Sequence, residues 1–372
     1  MNKSKSIICL MLIAIGTCLA STSIAEEAKT KKAAPKVQIA ILLDNSGSMG
    51  GLINQARSEL WKIVNEFATA KQDGTAPDLE VAVYHYGNPP ATQLVPLTDD
   101  LDSVSAALFG IPVNGGSEYC GAVIQSATND LDWSKNDRDL KLIFIAGNER
   151  FNQGPVDYHK ACKAAIEKGV IVNTIHCGNG IPDGWKQGAM LADGSSINID
   201  QNQAVANIPA PQDKKIAELG VELNKTYIAY GTRGHEGKME QAQQDGNSSG
   251  AGIASASSRA VTKANRLYRN SSWDLCDAYC DKKIDLGKID DSQLPENMRK
   301  MTKAERKAYV EKMQKDREGL QKKINDLNGE RTKYVAEKRK EMAAEDGEKT
   351  LGAALIESIR KQGGKKNFTF GK

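Results

Sequence analysis

Long apolar runs are scarce in this chain of 372 residues. The longest, Ile7–Ala20, falls short of the roughly 20 apolar residues that a membrane helix needs. Net charge is small too: 50 Lys and Arg against 47 Asp and Glu, a formal +3. No basic patch is interleaved with aromatics, so nucleic acid is not an indicated partner. There is no Walker-type phosphate loop and no CxxC…CxxC array. The four histidines, His85, His159, His176 and His235, lack metalloprotease spacing. Nothing places a base beside Ser46 or Cys276, and with no acid–base constellation the chain does not read as an enzyme.

The amino terminus has the pattern of a secretory signal. Lys3 and Lys5 precede the apolar stretch, and Ser23-Ile24-Ala25 offers small residues for a cut after Ala25. Residues 1–25 are therefore expected to leave, with no stable membrane span remaining, and 26–35 to form a charged linker ending at Pro35. The expected location is the periplasm or the medium. Cys9 and Cys18 would depart with the signal, leaving Cys120, Cys162, Cys177, Cys276 and Cys280, an odd number in an oxidising compartment. Cys162 and Cys177 fall on a helix and the strand after it and are the favoured disulfide pair. Cys276 and Cys280 sit four apart on one helix face, about 5–6 Å between β-carbons, wider than a disulfide prefers.

Strand and helix patterns then alternate. Lys36–Leu43, Leu140–Ile145 and Val170–Cys177 are mostly apolar runs that read as buried strands. Leu79–Tyr86 and Gln93–Leu97 read as further strands. Leu52–Phe67, Asp99–Leu108, Cys120–Leu131 and Tyr158–Lys168 read as helices. This order predicts an α/β fold over 36–208: a doubly wound, mostly parallel sheet flanked by helices. A helical C-terminal extension follows over 209–300, with helices expected at Gln212–Ala229 and Ser258–Cys280 and a flexible Gly/Ser-rich linker at 234–257. A long charged helix over 301–345 starts with a Thr302–Glu305 capping box. Its seam, Val310, Met313, Leu320, Ile324, Leu327 and Tyr334, is interrupted by Arg317 and Arg331. That suits a coiled-coil-like hairpin, an arm laid along another surface, or a solvated helix, and it leaves oligomerisation through this helix open. Residues 346–372 read as a short helix and a disordered tail around Gly363-Gly364-Lys365-Lys366.

The first strand ends in Asp44-Asn45-Ser46-Gly47-Ser48. A carboxylate and two hydroxyls at the carboxyl end of a parallel strand form a hard-oxygen donor set, suited to Mg²⁺ or Ca²⁺ rather than zinc. Taken alone the pentapeptide is also a turn. With a buried strand before it, an amphipathic helix after it and Gly115-Gly116-Ser117 downstream, it resembles the metal-ion-dependent adhesion site of von Willebrand factor type A (VWA) domains. The resemblance implies that Asp44, Ser46, Ser48 and Ser117 hold Mg²⁺ (or Mn²⁺ or Ca²⁺), with Ser117 in place of a threonine. It also implies an aspartate in a third loop, where this chain has Gly147 in Ala146-Gly147-Asn148-Glu149. Asn148 or Glu149 is the candidate substitute. The stretches Ile145–Gly154, Val172–Gly178 and Trp273-Asp274-Leu275 are similar to an exported bacterial subgroup of VWA proteins, from which no activity follows.

The implied function is an exported interaction module that binds a protein partner through the cation, with a carboxylate of the partner completing the coordination. The loop 147–154 would shape the rim. The competing expectation is a metal-independent scaffold of the cell envelope that acts through its helical tail.

Overall fold

A computed structural model of the protein describes residues 34–199, 208–343 and 351–371. The expected signal and nearly all of the linker lie outside these residues. The elements are β1 (Lys36–Leu43), α1 (Gly50–Ala68), β2 (Lys71–Gln72), β3 (Asp78–His85), β4 (Thr92–Thr98), α2 (Leu101–Gly110), α3 (Cys120–Asp130), β5 (Leu140–Gly147), α4 (Tyr158–Glu167), β6 (Val170–Cys177), α5 (Asp183–Leu191) and β7 (Ser196–Ile199). Then come α6 (Asp213–Asn224), α7 (Gly234–Gly250), α8 (Ile253–Lys263), α9 (Leu275–Cys280), α10 (Glu296–Arg299), α11 (Lys303–Ala343), α12 (Leu351–Gly364) and β8 (Phe368–Thr369).

The main sheet runs β4-β3-β1-β5-β6-β7, and only β4 is antiparallel to its neighbour. Side-chain alternation along β1 sorts the core into two layers. Val37, Ile39, Ile41 and Leu43 face α1 and α2, while Ala40 and Leu42 face α3 and α4. Each of these Val, Ile and Leu side chains contributes about 1.5–3 kcal/mol by leaving water, which is why most of β1 is apolar. Leu43 pairs with His85 on one side and Ala146 on the other, and Gly147 pairs with His176. The carboxyl ends of β1, β3, β5 and β6 therefore line one edge of the sheet. At β1 the connections diverge, the position where open α/β sheets place ligands.

The helices beyond residue 208 are not a detached appendage. α8 packs on α1 and α7 on α2, and the described chain from Ala34 onward forms one compact unit. The expected linker at 234–257 is instead α7 and the start of α8. Several of its small and polar residues, Gly237, Gln241, Gln244, Ser248, Ser255 and Ser257, are buried contacts. Ser248 accepts a hydrogen bond from Trp61 Nε1 at 3.0 Å, and Gln244 accepts one from Ser105 at 2.9 Å. Gly237 lies under the indole of Trp273, where a β-carbon would come within 2.3 Å of the ring. The expected helix Ser258–Cys280 is split in two, because Asp274 starts α9 afresh by capping Asp277 N.

The capping box of α11 is present: Thr302 N donates to Glu305 at 2.7 Å, and Glu305 N to Thr302 Oγ1 at 3.3 Å. This helix lies along α6, α8 and α9. Val310 and Ile324 are fully buried. Arg317 and Arg331, seven apart in register with them, are ion-paired to Asp274 and Asp277 and to Asp213. The arginines thus continue the seam, which is used against the chain's own helices. The tail is also ordered: Phe368 pairs with Gln72, and Gly363 packs against Phe370. No helix of the described residues is long and apolar enough to cross a membrane.

Candidate metal centre

The loop after β1 is fixed from several directions. Asp44 N donates to Ala146 O (2.9 Å), and Tyr86 N to Leu43 O (3.0 Å). Asn45, fully buried, is the clamp. Its Oδ1 accepts from Gly87 N at 2.6 Å and lies 3.2 Å from His85 Nδ1, its Nδ2 donates to Pro112 O, and its carbonyl accepts from Asn114 N and Gly115 N. A β-carbon on Gly115 would lie 2.4 Å from Gly87 Cα, so the second loop seats here only as glycine. Gly116 N and Ser117 N both donate to Gly87 O, and Ser46 bridges to Gly115. Three loops from three strand ends and helix α3 thereby converge.

The donor atoms stand as follows. Asp44 is fully buried. Its Oδ1 accepts from Ser46 N at 2.7 Å, while its Oδ2 has no hydrogen-bond partner. Ser46 Oγ and Ser48 Oγ are 3.4 Å apart. Asn148 Nδ2 donates to Ser48 Oγ at 3.0 Å, and its Oδ1 is buried without a partner. Ser117 lies two residues beyond Gly115, which bridges to Ser46, and its amide donates to Gly87 O; no hydrogen bond of its side chain joins these donors among the described residues. Of the two candidate substitutes for the missing third-loop carboxylate, Asn148 reaches the Ser48 hydroxyl. Glu149 turns to Gln153 at 3.2 Å, and its carbonyl accepts from Trp185 Nε1.

Burial pushes the Asp44 carboxyl up to about 6, against the Ser46 amide and hydroxyl that favour its charged form; the charge of Glu118 adds to the rise. Glu118 was not visible as a site residue in the sequence. It directly follows Ser117 and is buried, and Ser46 favours its charged form. Burial raises its carboxyl as well, and so does the charge of Glu149. The only sequence signal was an acidic residue directly after the expected hydroxyl. Among the described residues no three His, Cys, Asp or Glu side chains cluster as a metal site, so a cation here depends on hydroxyl and amide oxygens too. The orphaned Asp44 Oδ2 and Asn148 Oδ1, beside the Ser46 and Ser48 hydroxyls, fit a hard divalent cation.

Gly147 stands where the resemblance implies an aspartate. A β-carbon there would lie 2.6 Å from the Tyr86 hydroxyl, which donates to Ala146 O. Tyr86 fills that space. The expected disulfide is also absent: Cys162 and Cys177 are free thiols in layers on opposite faces of the sheet. Cys162 projects from α4, whereas strand alternation turns Cys177 toward the α1 face.

A mostly parallel sheet flanked by helices, with a hydroxyl-rich loop at its switch point, defines an α/β domain. Residues 38–206 match the model of the von Willebrand factor type A domain, so this part of the chain is a VWA domain. Such domains generally mediate protein–protein interaction rather than catalysis. No curated protein matches the chain. Among solved structures it is similar to proximal thread matrix protein 1 of the mussel byssus, with a zinc-occupied MIDAS motif, at 17% identity and a TM-score of 0.38. That match covers 46% of this chain and 43% of the mussel protein, less than half its length. It is also similar to the VWA domain of SpRpn10 (16% identity, TM-score 0.36, 46% of this chain and 91% of that one). A third match is an aerotolerance-related membrane protein of Bacteroides fragilis (18% identity, TM-score 0.31, 44% and 92%).

Proposed function

We propose that this protein binds a protein partner through a divalent cation held by Asp44, Ser46, Ser48 and Ser117, with Asn148 beside them. The observation that carries this reading is the unpartnered Oδ2 of a fully buried Asp44. An unpaired carboxylate oxygen away from water costs several kcal/mol unless it takes up a proton or something cationic meets it. Oxygen-only donors favour Mg²⁺, Mn²⁺ or Ca²⁺. The cation would supply an open coordination position for an anionic group of the partner, and the chain's own residues would hold and orient it. In this reading the chain is exported, and the loop 147–154 forms part of the rim.

Calorimetric titration of Mg²⁺, Mn²⁺ and Ca²⁺ into the metal-stripped chain tests the proposal, with Asp44→Ala alongside. Saturable binding that the variant loses is the expected result, followed by partner capture that a chelator abolishes. Partner capture that is indifferent to both chelator and Asp44→Ala would move the function to the helical part of the chain.

A further inference from the structure

We infer that Glu118 supplies the second carboxylate of this site, taking over from the second loop the negative charge that Gly147 cannot provide from the third. The inference rests on the cation reading above. Three observations converge on it. First, the third-loop position is closed, since even a β-carbon on Gly147 would come within 3.0 Å of Asp44 Oδ2 and 2.6 Å of the Tyr86 hydroxyl. Second, Glu118 is only 6% exposed, a rare state for a glutamate without a charged partner. Among the described residues no lysine, arginine or histidine forms an ion pair with it or with Asp44. Third, its position is built. The two preceding amides are anchored on Gly87 O, Cys120 N donates to Glu118 O at 3.2 Å, and α3 begins directly afterwards.

The Ser46 amide donates to Asp44 Oδ1, Ser46 bridges to Gly115 on the loop that carries Glu118, and Ser46 favours the charged form of both carboxyls, so the two acids adjoin one serine. Two buried like charges repel, so with both carboxyls ionised the arrangement calls for a positive charge between them, and without one a proton is retained. The unpartnered Asp44 Oδ2 is the independent sign that the charge is a ligand rather than a side chain. A purely structural role for Glu118, accepting from Ser46, would need no charge. A glutamine would fill it equally well.

That difference sets the test. Mn²⁺ is titrated into the full chain and followed by calorimetry and by the loss of the free-ion resonance signal, for wild type, Glu118→Gln, Glu118→Asp and Asp44→Asn. Glu118→Gln keeps an acceptor for Ser46 and removes the charge. It is expected to weaken Mn²⁺ binding roughly 10–100-fold, with the melting temperature in chelator unchanged or raised. Glu118→Asp is expected to fall between the two. A dissociation constant for Glu118→Gln within about twofold of wild type, with Asp44→Asn inactive, overturns the role of Glu118 and leaves the cation reading standing. Absence of Mn²⁺ binding by the wild type overturns both. Should Glu118→Gln fail to fold, Glu118→Ala decides, and unchanged affinity in it counts against the inference.

Discussion

Gly147 faces the free oxygen of Asp44 so closely that a β-carbon on it would lie 3.0 Å from Oδ2. The same β-carbon would lie 2.6 Å from the Tyr86 hydroxyl, and Tyr86 is held by its bond to Ala146 O. The glycine is therefore not a vacant place awaiting an aspartate. The packing of Tyr86 requires it.

Gly147→Asp is expected to destabilise the chain by about 1–3 kcal/mol, the usual cost of overpacking, and not to tighten cation binding. Pairing Gly147→Ala with Tyr86→Phe should recover part of the loss, with a coupling above about 0.5 kcal/mol in a double-mutant cycle. Urea melts of the four proteins give the coupling. Gly147→Asp at full stability with higher Mg²⁺ affinity contradicts this account.

Asp44 ties stability to pH. Its folded carboxyl, at about 6, lies above the ordinary 3.8 because burial disfavours the charge. A raised folded value means that the contribution is fully present below pH 4 and is lost as pH rises through 6. That loss amounts to roughly 3 kcal/mol at 1.4 kcal/mol per pH unit. In chelator, Asp44→Asn should gain on wild type by about 2–3 kcal/mol between pH 4 and pH 7. Saturating divalent cation should then stabilise the wild type at pH 7 and leave the variant unmoved. Denaturant melts at the two pH values, with and without cation, measure both effects. A pH-independent difference between the two proteins rules out Asp44 as the titrating group.

Much of this was legible in the sequence because it is local. β1 and β6 begin and end where their apolar runs do, and the Thr302–Glu305 box forms as its spacing indicates. Asp44, Ser46 and Ser48 are brought together within one turn. What was not legible depends on distant partners. Composition cannot tell a flexible glycine from one that lets Trp273 approach, as Gly237 does. A serine in a linker looks the same as Ser248, which satisfies a buried indole. Arg317 breaks a seam only if its carboxylate partners are unknown. Glu118 became a site residue through the anchoring of its loop on Gly87, and the pairing of Cys162 with Cys177 failed because strand alternation puts them on opposite faces.

The thiols give a direct check on that last point. Among the described cysteines Cys280 is exposed, and Cys120, Cys162, Cys177 and Cys276 are buried. Burial raises Cys162 and Cys276 to about 12, which suppresses the reactive thiolate. An alkylating reagent should modify Cys280 quickly in the native protein and the other four only on unfolding, and reductant should not shift the melting temperature. Peptide mapping that recovers a Cys162–Cys177 bridge would contradict the observed layers.

Arg317 is the strongest single tie between α11 and the rest of the chain. Its Nη1 donates to Asp274 at 2.9 Å and Asp277 at 3.0 Å, its Nη2 to Thr226 O at 2.7 Å, and its guanidinium lies 3.9 Å from the centre of the Tyr227 ring. Asp274 in turn accepts from Ile228 N and Asp277 N and so starts α9. Removing the arginine leaves two buried carboxylates facing each other, a loss of about 3–5 kcal/mol for a broken buried pair. Arg317→Met should therefore melt well below wild type. Replacing all three charges with Met and two Asn should cost less than Arg317→Met alone, because no uncompensated charge remains. Lysine should rescue poorly, since one ammonium cannot reproduce the fork that spans Asp274, Asp277 and Thr226. Amide exchange in α9 distinguishes this account from simple loss of packing. If Asp274 repulsion is the cause, protection across Leu275–Cys280 falls first in Arg317→Met and returns in the triple variant. If packing alone is responsible, it stays low in both.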